Sequence, residues 1–224
     1  TIEVNEPSYL KSLPIRPLHM HWSFDSIKDG QHTTNSSYKN LANTQNTLHS
    51  KQSIGSTQVA GRQGKARQLP EKNDYIESDW MGISGSQART VSFWIKPAKK
   101  ETRLSSLLGW GRRSEYGQSC YLFFEKSGSY SSIGLGLTTN SFEAVIDKHV
   151  PADKWVHFTC VYHGEQDVTG IPKLSFYLDG KLEPHGHYDY SEGSEDFKID
   201  TITNNLLSAP FSIGSSLYAD PEYG

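Results

Sequence analysis

The chain has 224 residues, of which 35% are hydrophobic and 12% aromatic, and its formal charge is −3. Such a chain can bury a full core, as one large all-β domain or two small ones. With 22 basic against 25 acidic residues it lacks the basic excess of a nucleic-acid binder, so DNA and RNA are not expected partners. No apolar run reaches the roughly 18 residues that would cross a bilayer. The first residues lack the basic-then-apolar layout of a signal peptide. A chain opening on Thr1 is expected to be a piece of a longer polypeptide, with other domains of that polypeptide among its partners.

In chain order, residues 1 to 17 are polar with three prolines and no sustained period, and read as a linker or arm. Residues 18 to 224 read as one domain. It enters a first strand at "LHMHWSFDS", followed by a long run rich in Asn, Ser, Thr and Gln. A structureless loop of that length is uncommon, so the run is expected to hide a short irregular strand or to be functional. Strand-like segments then follow at short intervals: "DYIES", "RTVSFWIKP", "LSSLLGWG", "CYLFFEK", "SIGLGLT", "FEAVID", "KWVHFTCVY", "KLSFYLDGKL", "FKIDTI" and "PFSIGSSL". Many alternate apolar with polar or small residues, as half-buried antiparallel strands do. No segment carries an amphipathic helix of a dozen residues. An antiparallel sandwich is the economical fold for so many short strands.

In "WVHFTCVY" both faces are largely apolar, which places the strand at the centre of its sheet. Trp94, Trp155, Phe158, Cys160, Phe176 and Leu178 are read as core. Asp179-Gly180 reads as the turn of a tight hairpin rather than as catalytic chemistry. Cys120 and Cys160 fall in different strands, and the spacing leaves open whether they form one bridge or two buried thiols.

The ordered set "HWSFDS", "GKARQL...NDYIES", "RTVSFWIKP", "LLGWG", "KWVHFTCVYHG", "LSFYLDGKL" and "FSIGSS", spanning about residues 19 to 216, resembles the laminin-G-like modules of bacterial proteins. These belong to the concanavalin A-like lectin/glucanase superfamily. The resemblance implies an all-β, two-sheet antiparallel jelly-roll sandwich, and an exported setting: extracellular, periplasmic or cell-surface. It leaves function open, because this fold carries lectins, glycanases and adhesion modules. Such modules usually close with a further strand after the "SIG" segment. Here the chain ends at "LYADPEYG", so the domain is expected to lack that strand or to close differently.

The resemblance also implies calcium on the sandwich rim, at Asp25 with oxygens from neighbouring loops, where Asp29, Asn73 and Asp74 are the donors in plausible places. Calcium takes six to eight such oxygens. For catalysis, the paired carboxylates of a glycosidase would need an alternating acidic strand, and none is present. The acid run "SEGSEDFKID" reads as a solvated loop, and no catalytic residue is assigned. In "PHGHYDY" His185 and His187 share a strand parity suited to a metal, but zinc would need further ligands that spacing does not supply. Glycan recognition needs aromatic platforms with polar neighbours. Candidates on expected loops are Trp110, Arg112, Arg113 and Tyr116 in "WGRRSEYG", Tyr188 and Tyr190 after the hairpin, and Trp80. The expected function is a non-catalytic module binding a glycan or protein ligand. The alternatives are a glucanase-like enzyme and a purely architectural spacer.

Overall fold

The computed structural model describes residues 22, 24–25, 37–38, 48–54, 57–69, 74–78, 80–98, 104–112, 118–127, 130–137, 142–168, 170–189, 199–203 and 208–214. Among them there is no helix. The strands are β1 (Ser37–Tyr38), β2 (Leu48–Ile54), β3 (Thr57–Ala60), β4 (Lys65–Gln68), β5 (Tyr75–Ser78), β6 (Arg89–Ile95), β7 (Leu104–Arg112) and β8 (Ser119–Ser127). They continue with β9 (Tyr130–Leu137), β10 (Phe142–Ile146), β11 (Val156–Gln166), β12 (Pro172–Leu178), β13 (Lys181–Glu183), β14 (His185–Asp189) and β15 (Ser208–Ile213).

One sheet runs β1-β2-β5-β15-β7-β8-β9-β10-β14, a second runs β13-β12-β11-β6, and β3 and β4 form a separate hairpin. Pairing is antiparallel throughout the described strands. The two larger sheets close on one core. The long sheet supplies Leu108, Trp110, Leu122, Phe124, Ile133 and Leu135, and the short sheet supplies Val156, Phe158, Tyr162, Leu174, Phe176 and Leu178. This is the sandwich that alternation implied, because each strand offers every second side chain to the opposite sheet.

Strand β11 shows the rule at its clearest: Val156, Phe158, Cys160 and Tyr162 are buried, while His157, Thr159 and Val161 between them are only half-buried. As expected, β11 is internal, flanked by β6 and β12. Phe158 lies 5.6 Å from Phe93 and 5.9 Å from Phe176 between ring centres. The β12–β13 turn falls at Asp179 and Gly180, with φ of 48° and 77°. Two successive positive φ values make the turn whose twist matches that of the flanking strands. Asp179 Oδ1 accepts the His157 N–H at 2.9 Å, so this aspartate ties the turn to the head of β11.

Several expectations are corrected. Of the opening strand only Trp22, Phe24 and Asp25 are described, with Trp22 as a single bridge residue and the other two in a bend and turn. Within "FKIDTI" the described residues form no strand, and Thr201 makes one isolated bridge to Gly85. Conversely "HGHYD", read as loop, is the edge strand β14 paired with β10. The polar run holds β1, β2 and the start of β3, which is the hidden-strand alternative. Trp155 lies just ahead of β11 and is half-buried rather than core. The expected arm at residues 1 to 17 lies outside the described residues.

Candidate functional site

The outer face of the short sheet is built from the residues that alternate away from the core. On β6 these are Thr90, Ser92 and Trp94, all exposed, against the inward Arg89, Val91, Phe93 and Ile95. Trp94 is 40% exposed, which corrects its assignment to the core. The signal was available in the sequence: Trp94 shares the parity of Thr90 and Ser92, and its own apolarity hid that.

Register brings the neighbours together. His157 pairs with Trp94 and Thr159 with Ser92 across β11 and β6, and Thr159 pairs on its other side with Tyr177 of β12. The His157 and Trp94 ring centres are 5.1 Å apart. The Ser92 hydroxyl bridges His157 Nε2 at 3.0 Å and Thr159 Oγ1 at 2.9 Å. A half-buried Tyr177 completes the row, with Leu182 of β13, 64% exposed, beyond it. Trp94 and Tyr177 stand two strands apart and two residues along, about 12 Å from each other by strand spacing and rise. Between them lies a floor of hydroxyls and one imidazole.

Over this face reaches Arg62, from the turn between β3 and β4. Its guanidinium carbon is 5.5 Å from the Trp94 ring centre. The turn is fixed by the Gly61 N–H donating to Gly64 O at 2.9 Å. It is fixed again by the Lys65 N–H donating to Asp25 Oδ1 at 2.6 Å. Gly64, with φ of 61°, has the Asp25 carboxylate where a Cβ would stand.

The residues expected to bind ligand are placed differently. Trp110 is not on a loop but inside β7, only 3% exposed, with its Nε1 donating to Ile83 O at 3.0 Å. A ring so enclosed offers no face to a sugar. Trp80 packs with it around Phe211, which lies 5.3 Å from Trp80, 5.8 Å from Trp110 and 4.8 Å from Trp22. Arg112 ends β7 and is half-buried, its amide bonded to Gln118 O. Tyr188 stands opposite Ala144 in β14, in the register row of the core residues Leu122 and Leu135. Arg113, Tyr116 and Tyr190 lie outside the described residues.

The rim residues fare no better as a calcium cage. One Asp25 oxygen is committed to the Lys65 amide, Asp74 is buried ahead of β5, and Asp29 and Asn73 lie outside the described residues. Among the described residues no three His, Cys, Asp or Glu side chains gather as a metal would need. Calcium here rests on the resemblance that implied it.

Cys120 and Cys160 are both buried and free, one on each sheet. They line a common void of about 10 Å³ with Arg89, Leu122 and Tyr162. Burial pushes the Cys120 thiol up to about 11, against a smaller opposing pull from Arg89. Burial also raises Cys160 well above the ordinary thiol range, and Cys120 adds to the effect. The thiolate is the reactive form, so at pH 8 only about one Cys120 in a thousand is poised to react. Folded protein is expected to leave both thiols unlabelled by a maleimide over an hour at pH 8, and to label both in denaturant. Rapid labelling of either in the folded state would contradict this burial.

The sequence model of the concanavalin A-like lectin/glucanases superfamily, in its laminin-G form, matches residues 70–216. No curated protein is similar enough to the chain to match it. The match runs from the segment before β5 to the end of β15, taking in most strands of both packed sheets, and the observed antiparallel sandwich agrees with it. The chain belongs to the concanavalin A-like lectin/glucanase superfamily.

Proposed function

We propose that this domain is a non-catalytic binding module that recognises a glycan on the outer face of its short sheet. The observation that supports it is the presentation of Trp94: a large ring, 40% exposed, on a regular strand and steadied by His157. Aromatic faces attract the apolar C–H faces of sugar rings, and flanking hydroxyls and imidazoles hydrogen-bond the sugar's own hydroxyls. The Ser92, Thr159 and His157 side chains already form such a polar row. Tyr177 offers a second ring about 12 Å away, a span of two to three sugar units, taking the roughly 4.8 Å strand spacing twice and the rise of two residues along the strand. An exported setting belongs with this reading and is supported only by the likeness of its motifs to exported modules.

Trp94→Ala tests the reading. Affinity electrophoresis against a panel of neutral and charged polysaccharides is expected to retard the wild-type chain on at least one member. The variant should lose about 10-fold or more in affinity, the loss of one stacked platform, with its melting temperature lowered by only a few degrees because the ring lies outside the core. Binding should be equal in calcium and in chelator, since stacking on Trp94 and hydrogen bonds from Ser92, Thr159 and His157 need no metal. Release of shortened sugars from the bound polysaccharide would instead identify an enzyme. Undiminished binding by Trp94→Ala would move the site elsewhere.

A further inference from the structure

Resting on that reading, we infer that the glycan is acidic, with a carboxylate or sulfate group paired to Arg62 while a sugar ring lies against Trp94. A guanidinium has five N–H donors in a planar fork that matches carboxylate and sulfate oxygens two at a time. Arg62 is exposed, its contact among the described residues is the Trp94 ring, and none of those residues supplies it a carboxylate. The nearby acids are turned to other work: Asp25 Oδ1 accepts the Lys65 N–H and Asp179 Oδ1 accepts the His157 N–H. Lys96, two residues beyond Trp94, is exposed as well. The face therefore offers a guanidinium beside an aromatic ring, with an ammonium two residues along the chain, a pairing that suits a ring bearing an anion.

The rest of the molecule sharpens the point. At a formal charge of −3 the whole chain does not draw polyanions to itself by its overall field. Selectivity for an acidic polymer would have to come from a local site. A guanidinium stacked on an indole is also oriented before the ligand arrives, so less side-chain freedom is lost on pairing. The turn that carries it is held at Gly61–Gly64 and by Asp25.

The test uses polymers matched in backbone and differing in charge: polygalacturonate against its methyl ester, and dextran sulfate against dextran. Polyacrylate serves as an anion without a sugar. Calorimetric titration of the intact chain is expected to show one charged polysaccharide bound about 10-fold or more tightly than its neutral partner, the worth of one charge-assisted pair. The pair that discriminates tells carboxylate from sulfate. Arg62→Ala should abolish the preference, Arg62→Lys should keep only part of it, and Trp94→Ala should weaken both members.

Equal affinity for charged and neutral members, or a preference that survives Arg62→Ala, overturns the acidic ligand while the Trp94 platform stands. Polyacrylate binding as tightly as the acidic sugars, insensitive to Trp94→Ala, overturns it as well. Binding to no polysaccharide, or binding indifferent to Trp94→Ala, brings down the platform and the inference together.

Discussion

Arg89→Met is expected to destabilise the fold by about 3 to 5 kcal/mol, the cost of leaving several buried acceptors without their donor. Although it opens β6 and is charged, Arg89 is only 7% exposed. It faces inward on the parity of Val91 and Phe93. Its Nε donates to Gln87 O at 3.1 Å, and its Nη1 to Ile83 O at 3.0 Å and to Thr201 Oγ1 at 3.1 Å. Its Nη2 donates to Gly85 O, and its carbon sits 5.7 Å from the Tyr162 ring centre. The segment 83–87 is thus wrapped around one guanidinium, and the Gly85–Thr201 bridge closes the far side.

Replacing a buried ion pair with apolar residues is often harmless, because both charges leave together. The Arg89 partners are mostly backbone carbonyls, which no substitution removes. Burial pulls the Arg89 pKa below its ordinary value, while Cys120, Tyr162 and Asp200 act to raise it. Arginine starts so far above neutrality that the charge holds there. Methionine fills much of the volume but donates nothing, so the carbonyls of Ile83, Gly85 and Gln87 each lose a partner. Arg89→Lys keeps the charge on a compact head that cannot reach four acceptors, and should cost about 2 kcal/mol. Urea unfolding of the three proteins measures this directly, and for a chain of this size the methionine variant should melt about 10 °C lower. A methionine variant as stable as wild type would mean that water replaces the guanidinium.

Much of this architecture is legible before any coordinates, and the failures have identifiable causes. Alternation in "WVHFTCVY" assigns Phe158 and Cys160 to the core correctly, and Asp179-Gly180 announces its turn, because both signals are local. Trp94 and Trp110 depart from expectation in opposite directions, because residue type points one way and strand parity the other. Trp94 sits among Thr and Ser on the solvent side. Trp110 sits between Gly109 and Gly111, where a strand-like segment runs into an expected loop, and all three lie within β7. A glycine at either flank of a strand aromatic marks close packing as readily as a turn. Arg89 was not legible as a core group: a charge at the head of a strand ordinarily means solvent, and its acceptors are backbone atoms brought together by the fold. The Arg62–Trp94 contact joins positions 32 residues apart in different sheets, which no local pattern reports.

Trp110→Ala is the second large expected loss, about 3 to 5 kcal/mol for a buried tryptophan truncated to a methyl. The indole touches Phe211 and lies so close to Gly82 that a Cβ there would stand 2.0 Å from its Cδ1. Gly82 has φ of 90°, a backbone other residues avoid, so the loop bends in a way that admits the ring. Trp110→Phe separates packing from hydrogen bonding. It keeps most of the apolar contact but removes the donor to Ile83 O, an acceptor that Arg89 Nη1 also serves. With Arg89 present the carbonyl keeps one partner, so the phenylalanine variant alone should lose only about 1 kcal/mol. In the Arg89→Met background the same change leaves that carbonyl bare, and the double variant should lose about 1 kcal/mol or more beyond the sum of the two single losses. A double-mutant cycle by urea unfolding reads this coupling. Glycan affinity of the folded Trp110→Phe protein should stay at the wild-type value, because the ring lies inside the sandwich and the proposed ligand outside it. Additive losses would show that the two donors do not stand in for each other at Ile83 O. A loss of affinity without loss of stability would return Trp110 to the binding surface.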